Sequence, residues 1–281
     1  MIEVRNLSKK FGKKEALKNV SFTLENGVYG LLGANGAGKT TLIRSLTLLY
    51  PDRFGAISKN GVPISKDQKY LSGVGYLPQQ FGLFKELSVA DALSLLASFK
   101  GIGKAVSESE IERCLKLVNL SDEKEKRVSA LSGGMLRRVG IAQALLGNPE
   151  LIIFDEPTSG LDPVERLRFK SVVSEIDREK TVIISTHIVE DIEAVCDRVI
   201  VMDSGKVLGV YSCEELKNKA GGKVFEVYGT DADILSEEGF VEKIFERDGR
   251  TAKRILSSRP LNGKPCKPTL EDGYLCLIEG I

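Results

Sequence analysis

The stretch Gly33-Ala34-Asn35-Gly36-Ala37-Gly38-Lys39-Thr40 fits the pattern G-x-x-x-x-G-K-[ST], and each residue type in it has a chemical use. Glycines let successive backbone N–H groups converge on phosphate oxygens, and the N-terminus of a following helix adds positive potential. The Lys39 ammonium is expected to reach β- and γ-phosphates, the Thr40 hydroxyl to ligate Mg²⁺, and Thr41 to hold a further phosphate oxygen. A glycine turn with an incidental lysine would leave the fixed spacing unexplained. The loop reads as a nucleoside triphosphate cradle.

Two acids supply the second piece. Leu151-Ile-Ile-Phe runs into Asp155-Glu156-Pro157, an apolar strand ending in carboxylates. In an open α/β sheet, ligands bind at that end of the strands. Asp155 suits a magnesium contact, commonly through coordinated water, and Glu156 suits polarising or orienting an attacking water. Acids after a strand are also ordinary turn formers. The phosphate cradle in the same chain tips the reading toward chemistry.

These side chains need a frame. Ile2/Val4 and Val20/Phe22/Leu24 alternate, with Glu25-Asn26-Gly27 as a turn, which predicts short antiparallel strands. Val28–Leu32 is a buried-strand run leading into the glycine loop, and a helical pattern follows from Lys39 through Leu49. From about 85 to 147 the chain reads as helical, with capping boxes expected at Ser88–Asp91 and Ser107–Glu110. Leu151–Phe154, Thr181–Ser185 and Val199–Met202 are continuous apolar runs, separated by the helical segments Glu165–Arg178 and Ile188–Cys196. Such runs are strands buried on both faces, so a mostly parallel α/β sheet is expected. Past Gly221 the texture changes to a strand at Val224–Tyr228, a hairpin turn at Arg247-Asp248-Gly249-Arg250 and a basic, proline-containing stretch from Lys253 to Pro268. A short helix capped at Thr269-Leu-Glu-Asp272 follows, with Leu270, Tyr274 and Leu277 expected on one face.

The bulk numbers narrow the class. In 281 residues, 42% are hydrophobic and 28% charged, which suits a soluble globular chain able to bury a full core. Lys plus Arg number 40 against 39 Asp plus Glu, a net charge of +1 that argues against a surface built to track polyanions. No apolar run approaches the roughly 20 residues of a membrane helix, and no signal peptide is evident at Met1. Five cysteines without CxxC spacing fit a reduced, cytosolic setting.

Further motifs fall in one order: Gln79, Leu131-Ser132-Gly133-Gly134-Met135, Asp155-Glu156, Ser159-Gly-Leu-Asp162 and His187. This arrangement resembles the ATP-binding subunit of ABC transporters from Ile2 to about Tyr211. The resemblance implies a P-loop NTPase core with a mostly parallel sheet, an N-terminal antiparallel β-subdomain and an inserted α-helical subdomain at about 85–147. It implies an ATPase domain over 1–221 and a small α+β extension over 222–281. It makes Gly33–Thr41 the Walker A loop, Phe11 the aromatic stacked on adenine, and Gln79 the Q-loop glutamine that contacts Mg²⁺ and the attacking water. Gln79 competes with Gln80 for that role, and the preceding Tyr-Leu-Pro favours Gln79. It makes Asp155 the Walker B aspartate, Glu156 the catalytic glutamate and His187 the switch histidine. His187, the one histidine in the chain, directly follows a strand, where an imidazole can hydrogen-bond a γ-phosphate.

Leu131–Met135 resembles the signature LSGGQ. Physically it is a second anion site: Ser132 can N-cap a helix whose first N–H groups Gly133 and Gly134 leave open. Met135, Val139, Ala142 and Leu146 are expected to form that helix's buried face. The resemblance implies that this site closes over ATP held by a second, head-to-tail subunit, with Asp162 at the seam. Met135 replaces the usual glutamine, and a thioether is a weak acceptor, so a polar contact there is in doubt while activity is expected to survive. The ending Pro268–Asp272 with Tyr274-Leu275 is similar to the C-terminal helix of ATPase subunits in ABC-2-type exporters.

The expected function is ATP hydrolysis that powers export through a separate membrane permease, with ATP and Mg²⁺ as cofactors. A homodimer is expected, located in the cytoplasm and peripheral on the inner face of the membrane, with no nucleic-acid partner. Gln79 and the helical segment Phe81–Gly103 would form the docking groove. The alternative is a soluble ABC-type ATPase acting on ribosomes or DNA. A non-hydrolysing regulator is disfavoured by Glu156, and a GTPase or small kinase would leave the signature and His187 unexplained.

Overall fold

In the computed structural model, residues 1–52, 55–228, 239–247 and 249–281 are described. The chain divides into two compact units, Met1–Gly209 and Val210–Ile281. The change of sequence texture lies later, near Gly221.

The first unit opens with β1 (Ile2–Phe11) and β2 (Lys14–Leu24), antiparallel and in the register Ile2↔Leu24, Val4↔Phe22 and Leu7↔Val20. The partners just named are buried, as the alternation requires. Register shifts interrupt the pair, and Asn6 and Asn19 take left-handed backbone there, φ 51° and 52°. The hydroxyls of Ser21 and Ser8 accept their N–H groups at 2.8 and 2.9 Å. The strands are thereby longer than expected, at 10 and 11 residues. With β4 (Ile57–Lys59) and β5 (Val62–Pro63) they form a four-stranded sheet in the order β2-β1-β4-β5.

The second sheet carries the site. It contains β3 (Gly27–Leu32), β6 (Val74–Leu77), β7 (Leu151–Asp155), β8 (Thr181–Thr186), β9 (Arg198–Asp203) and, at the edge, β10 (Lys206–Ser212). β6, β7, β8, β3 and β9 pair in parallel in that order. Every residue of β7 and β8 is buried, which explains their unbroken apolar runs.

The helices of this unit are α1 (Lys39–Leu46), α2 (Val89–Phe99), α3 (Lys104–Leu117), α4 (Gly133–Leu145), α5 (Pro163–Glu175) and α6 (Val189–Glu193); α1, α4 and α6 lie against the strands, while α2 and α3 pack on each other and on α4. Several bounds differ from expectation. α1 stops at Leu46, not Leu49, because Leu48 turns left-handed at φ 55°. The cap at Ser88 forms, its hydroxyl accepting the Asp91 N–H, and the segment 81–88 before it is not helical. The cap at Ser107 does not form, because Gly103 starts α3 and leaves Ser107 buried one turn inside it. α5 and α6 are shorter than the segments expected for them, ending at Glu175 and Glu193. α4 is buried on more than one face from Val139 onward, while Met135 is only half-buried.

The second unit holds α7 (Cys213–Asn218), β11 (Val224–Tyr228), β12 (Phe240–Arg247), β13 (Arg250–Leu256), β14 (Lys264–Pro265) and α8 (Leu270–Glu279). Its sheet runs β12-β13-β11-β14, all antiparallel. Phe225, Val227, Ile255 and Leu261 pack together, as do Ala220, Val224, Leu256 and Cys276. The expected hairpin turn contains Asp248, which lies outside the described residues. Thr269 caps α8 with a full capping box, but the buried residues are Leu270, Asp272, Gly273 and Cys276, with Tyr274 and Leu277 half-buried. Gly273 sets that rotation: a Cβ there would stand 1.9 Å from the Leu216 carbonyl oxygen. Among the described residues, no helix is long and apolar enough to cross a membrane.

Candidate active site

The glycine loop joins β3 to α1 under tight steric limits. Gly38 is the N-cap of α1 at φ 108°, and a Cβ on it would meet the Ala16 carbonyl oxygen at 2.8 Å. A Cβ on Gly33 would come within 2.4 Å of the Met202 carbonyl oxygen. The loop is therefore pressed onto β2 and β9, which aims its backbone N–H groups and the start of α1 at one space. No acidic residue sits in the first turn of α1. A cavity of about 390 Å³ opens there, bordered by Lys14, Ala34, Asn35, Gly36, Gly38, Lys39, Thr40, Thr41, Gln79 and Glu156. Ala37 is buried behind the loop.

Lys39 is buried to 6% exposure, its Nζ donating to the Gly33 carbonyl at 2.6 Å and the Ala34 carbonyl at 3.3 Å. It also stands 3.6 Å from Oε1 of Glu156. Glu156 projects from the end of β7 in a left-handed conformation, φ 50°, which is uncommon outside glycine and asparagine. Its other oxygen, Oε2, lies 3.0 Å from Nδ1 of His187. The carboxylate is thus held between a lysine from α1 and the histidine after β8. His187 is placed by a local turn in which the Thr186 hydroxyl accepts the Ile188 N–H at 2.9 Å.

Asp155, 1% exposed, accepts a 2.5 Å hydrogen bond on Oδ1 from the Ser185 hydroxyl, while its Oδ2 is buried with no hydrogen-bond partner among the described residues. The same Ser185 hydroxyl accepts the Glu156 N–H at 3.0 Å. Beyond Glu156, the Thr158 hydroxyl donates to Asp191 at 2.7 Å, and Lys170 pairs with Asp191 at 3.2 Å. That buried contact ties the turn after β7 to α5 and α6. Asp162 caps α5, accepting the Glu165 N–H at 2.9 Å, with Pro163 behind it.

Ser132 caps α4 as its residue type allows, accepting the Met135 N–H at 3.2 Å. Gly133 and Gly134 border a second cavity, of about 430 Å³, together with Gln79, Arg137, Ser159 and Gly160. Gln79 therefore faces both cavities, whereas the signature residues do not border the first. Phe11 is 43% exposed and does not border the first cavity; its ring lies 5.2 Å from that of Tyr50. Arg44 and Lys9 flank the same tyrosine, at 5.8 and 5.1 Å from its ring centre.

The profile of the ABC transporter family matches residues 17–159. The chain belongs to the ABC transporter family. It is 36% identical to the Nod factor export ATP-binding protein I of Rhizobium meliloti (strain 1021), covering 98% of this chain and 87% of that one. It is 34% identical to the linearmycin resistance ATP-binding protein LnrL of Bacillus subtilis (strain 168), covering 79% and 72%. Among solved structures, it resembles the dimeric ATP-binding cassette MJ0796 in a post-hydrolysis state bound to ADP and Pi. The TM-score is 0.68 at 27% identity, over 75% of this chain and 98% of that one.

As an ABC transporter ATPase, the chain binds and hydrolyses ATP. What the arrangement can do follows from its charges. A buried ammonium and a helix N-terminus border a cavity that could take an anionic group, and a carboxylate with a histidine neighbour stands at its edge. Two residues that sequence reasoning passed over hold this geometry. Ser185 had a faint signal, a hydroxyl inside an apolar strand. Arg137 had none: it sends five hydrogen bonds to the carbonyls of Pro78, Gln79, Asp155, Glu156 and Pro157. Burial pulls its pKa below the ordinary guanidinium value, against the opposing pull of Asp155 and Glu156.

Proposed function

We propose that this ATPase energises export of a substrate by a separate membrane-embedded permease, at sites completed by a second copy of the chain. The observation that carries the reading is the Glu156 carboxylate, fixed between Lys39 and His187 at the edge of the glycine-loop cavity. Glu156 would polarise the attacking water, His187 would hydrogen-bond the γ-phosphate, and Lys39 with residues 33–41 would cradle the triphosphate. Phe11 would stack on adenine. Ser132, Gly133 and Gly134, with Asp162 beside them, would close over ATP held by the opposing copy, since they do not reach the cavity of their own chain.

Magnesium fits the residues present: Asp155, the last residue of β7, has a buried oxygen with no hydrogen-bond partner among the described residues, and Thr40 and Gln79 border the glycine-loop cavity beside Glu156, its neighbour in the chain. Thr40, Asp155 and Gln79 would hold the ion, which would supply neutralisation of phosphate charge.

Names of the relatives, an export protein and a resistance protein, favour transport over action on ribosomes or DNA. They also fit the ABC-2-type ending of the sequence. The chain would sit on the cytoplasmic face of the membrane through its permease, with Gln79 and the following segment at the contact. Glu156→Gln is the test. It is expected to keep ATP binding, to lose about 10³-fold in turnover and to accumulate an ATP-bound dimer on size exclusion. Hydrolysis at the parental rate would remove Glu156 from this role. Recovery of ribosomes or DNA with it from detergent-solubilised membranes, in place of an integral membrane protein, would overturn the transport reading.

A further inference from the structure

Arg137 lies little more than one turn into α4, on the helix that the signature residues begin. A guanidinium has five N–H groups in a rigid planar fork, and here each meets a backbone carbonyl. Nη1 donates to Pro78 and Gln79, both at 3.0 Å. Nη2 donates to Asp155 at 3.0 Å and Glu156 at 2.6 Å, and Nε to Pro157 at 3.1 Å. One side of the fork thus holds the end of β6 and its glutamine. The other holds three consecutive peptides around Glu156.

Glu156 needs such a hold. Its left-handed backbone is unfavourable by about 1–2 kcal/mol for a residue with a Cβ, so surrounding contacts must keep it there. Ser185 fixes its N–H from one side, and Arg137 takes its carbonyl from the other. With the peptide clamped at both ends, the carboxylate is aimed between Lys39 and His187.

We infer that Arg137 is a positioning residue for hydrolysis, locking the backbone of Glu156 and Gln79 to the helix that starts at the signature. The inference rests on the role proposed for Glu156. A guanidinium joining two loops to α4 means that a rotation of α4 must carry the Glu156 and Gln79 peptides with it or break the fork. The helix facing a neighbouring copy's nucleotide would in this way set the glutamate of its own chain. All five acceptors are neutral carbonyls, so the planar fork, and not an ion pair, makes the link.

The test is steady-state ATP hydrolysis by the full chain carrying Arg137→Lys or Arg137→Met, with Glu156→Gln alongside, below the melting temperature of each. ATP affinity is measured on the same preparations with a fluorescent analogue. Lysine keeps the charge but puts three donors on one nitrogen, which cannot span both groups of carbonyls. Both Arg137 variants are expected to lose about 10²-fold in kcat, the scale for a displaced catalytic group. ATP affinity should stay within about twofold, the pattern of an interaction used in the transition state alone. If Arg137→Met does not fold, Arg137→Lys decides the matter. Parental kcat in Arg137→Lys overturns the inference, and so does a loss of ATP affinity in proportion to kcat, which would mark a general structural role. Should Glu156→Gln be inactive while Arg137→Lys turns over normally, only the inference about Arg137 falls. Should Glu156→Gln hydrolyse normally, the role of Glu156 falls and takes this inference with it.

Discussion

Ser185→Ala probes how the two carboxylates at the end of β7 are held. The side chain is fully buried, and its hydroxyl serves two partners at once. It donates to Oδ1 of Asp155 at 2.5 Å and accepts the Glu156 N–H at 3.0 Å. The second loss is mild, because the Ser185 carbonyl also accepts that N–H, at 3.2 Å. The first is not. Oδ2 of Asp155 already has no hydrogen-bond donor among the described residues, so alanine leaves a carboxylate of 1% exposure with none of them donating to either oxygen. A hydrogen bond to a charged group contributes about 1.5–3 kcal/mol, and the oxygen removed is too small to leave a costly cavity. A destabilisation of about 2 kcal/mol is therefore expected, or about 4–8 °C in melting temperature for a unit of this size.

Calorimetry of parent and variant, without nucleotide and then with Mg²⁺ and ATP, reads the effect directly. The deficit should shrink when Mg²⁺ and ATP are present, since a cation near Asp155 compensates the bare carboxylate. ATP turnover should fall as well, because Glu156 loses part of the anchoring on its N–H side. A melting temperature within about 1 °C of the parent would refute the reasoning, since the hydroxyl would then contribute less than about 0.5 kcal/mol. A deficit that grows with Mg²⁺ would refute the link to the metal.

Two further outcomes are expected. Gly75→Ala should destabilise the first unit by about 3 kcal/mol or more in urea titration, because its Cβ would stand 1.9 Å from the Ala144 carbonyl oxygen, where α4 lies on β6. In the second unit Arg254 pairs with both Glu242, at 2.7 Å, and the buried Asp272, at 2.5 Å. Burial and the neighbouring Asp272 and Glu271, against the pull of Arg254, raise Glu242 from the ordinary 4.5 to about 7. The folded state therefore binds this proton more tightly, and the stability it adds is present below 4.5 and lost as pH rises toward 7. Hydrogen exchange in β13 and α8 should be slower at about pH 5 than at about pH 8 after correction for intrinsic rates, and Glu242→Gln should flatten that difference.

Legibility from sequence followed the range of the interactions. The glycine loop could be read because its constraints are local: each glycine answers a clash or a backbone angle within a few residues or against one neighbouring strand. β7, β8 and β9 could be read because burial on both faces removes polar residues altogether. Helix ends were harder. Ser107-Glu-Ser-Glu110 has the composition of a cap, yet Gly101 reverses the chain at φ 74° and Gly103 starts α3 before that serine is reached. In α8 the expected face was rotated by one close approach, Gly273 against Leu216, which no pattern within the helix reveals. Arg137 was invisible for a different reason. Its acceptors are backbone carbonyls 18 to 59 positions away in sequence, and a carbonyl has no residue type to recognise.

That last case bears on how the site works. Each polar atom of the Glu156 residue is held by a different part of the fold: the N–H by β8, the carbonyl by α4, one carboxylate oxygen by α1 and the other by the turn after β8. A relaxed backbone would tolerate the loss of one anchor, but a left-handed glutamate has lower-energy conformations to fall into once any of them moves. The strain thus makes the carboxylate's position depend on several elements together, so no single motif sets it. The glycine loop and the two acids alone can be written as a short pattern. The aim of the glutamate cannot, because it is a property of α1, α4, β7 and β8 packed as one piece.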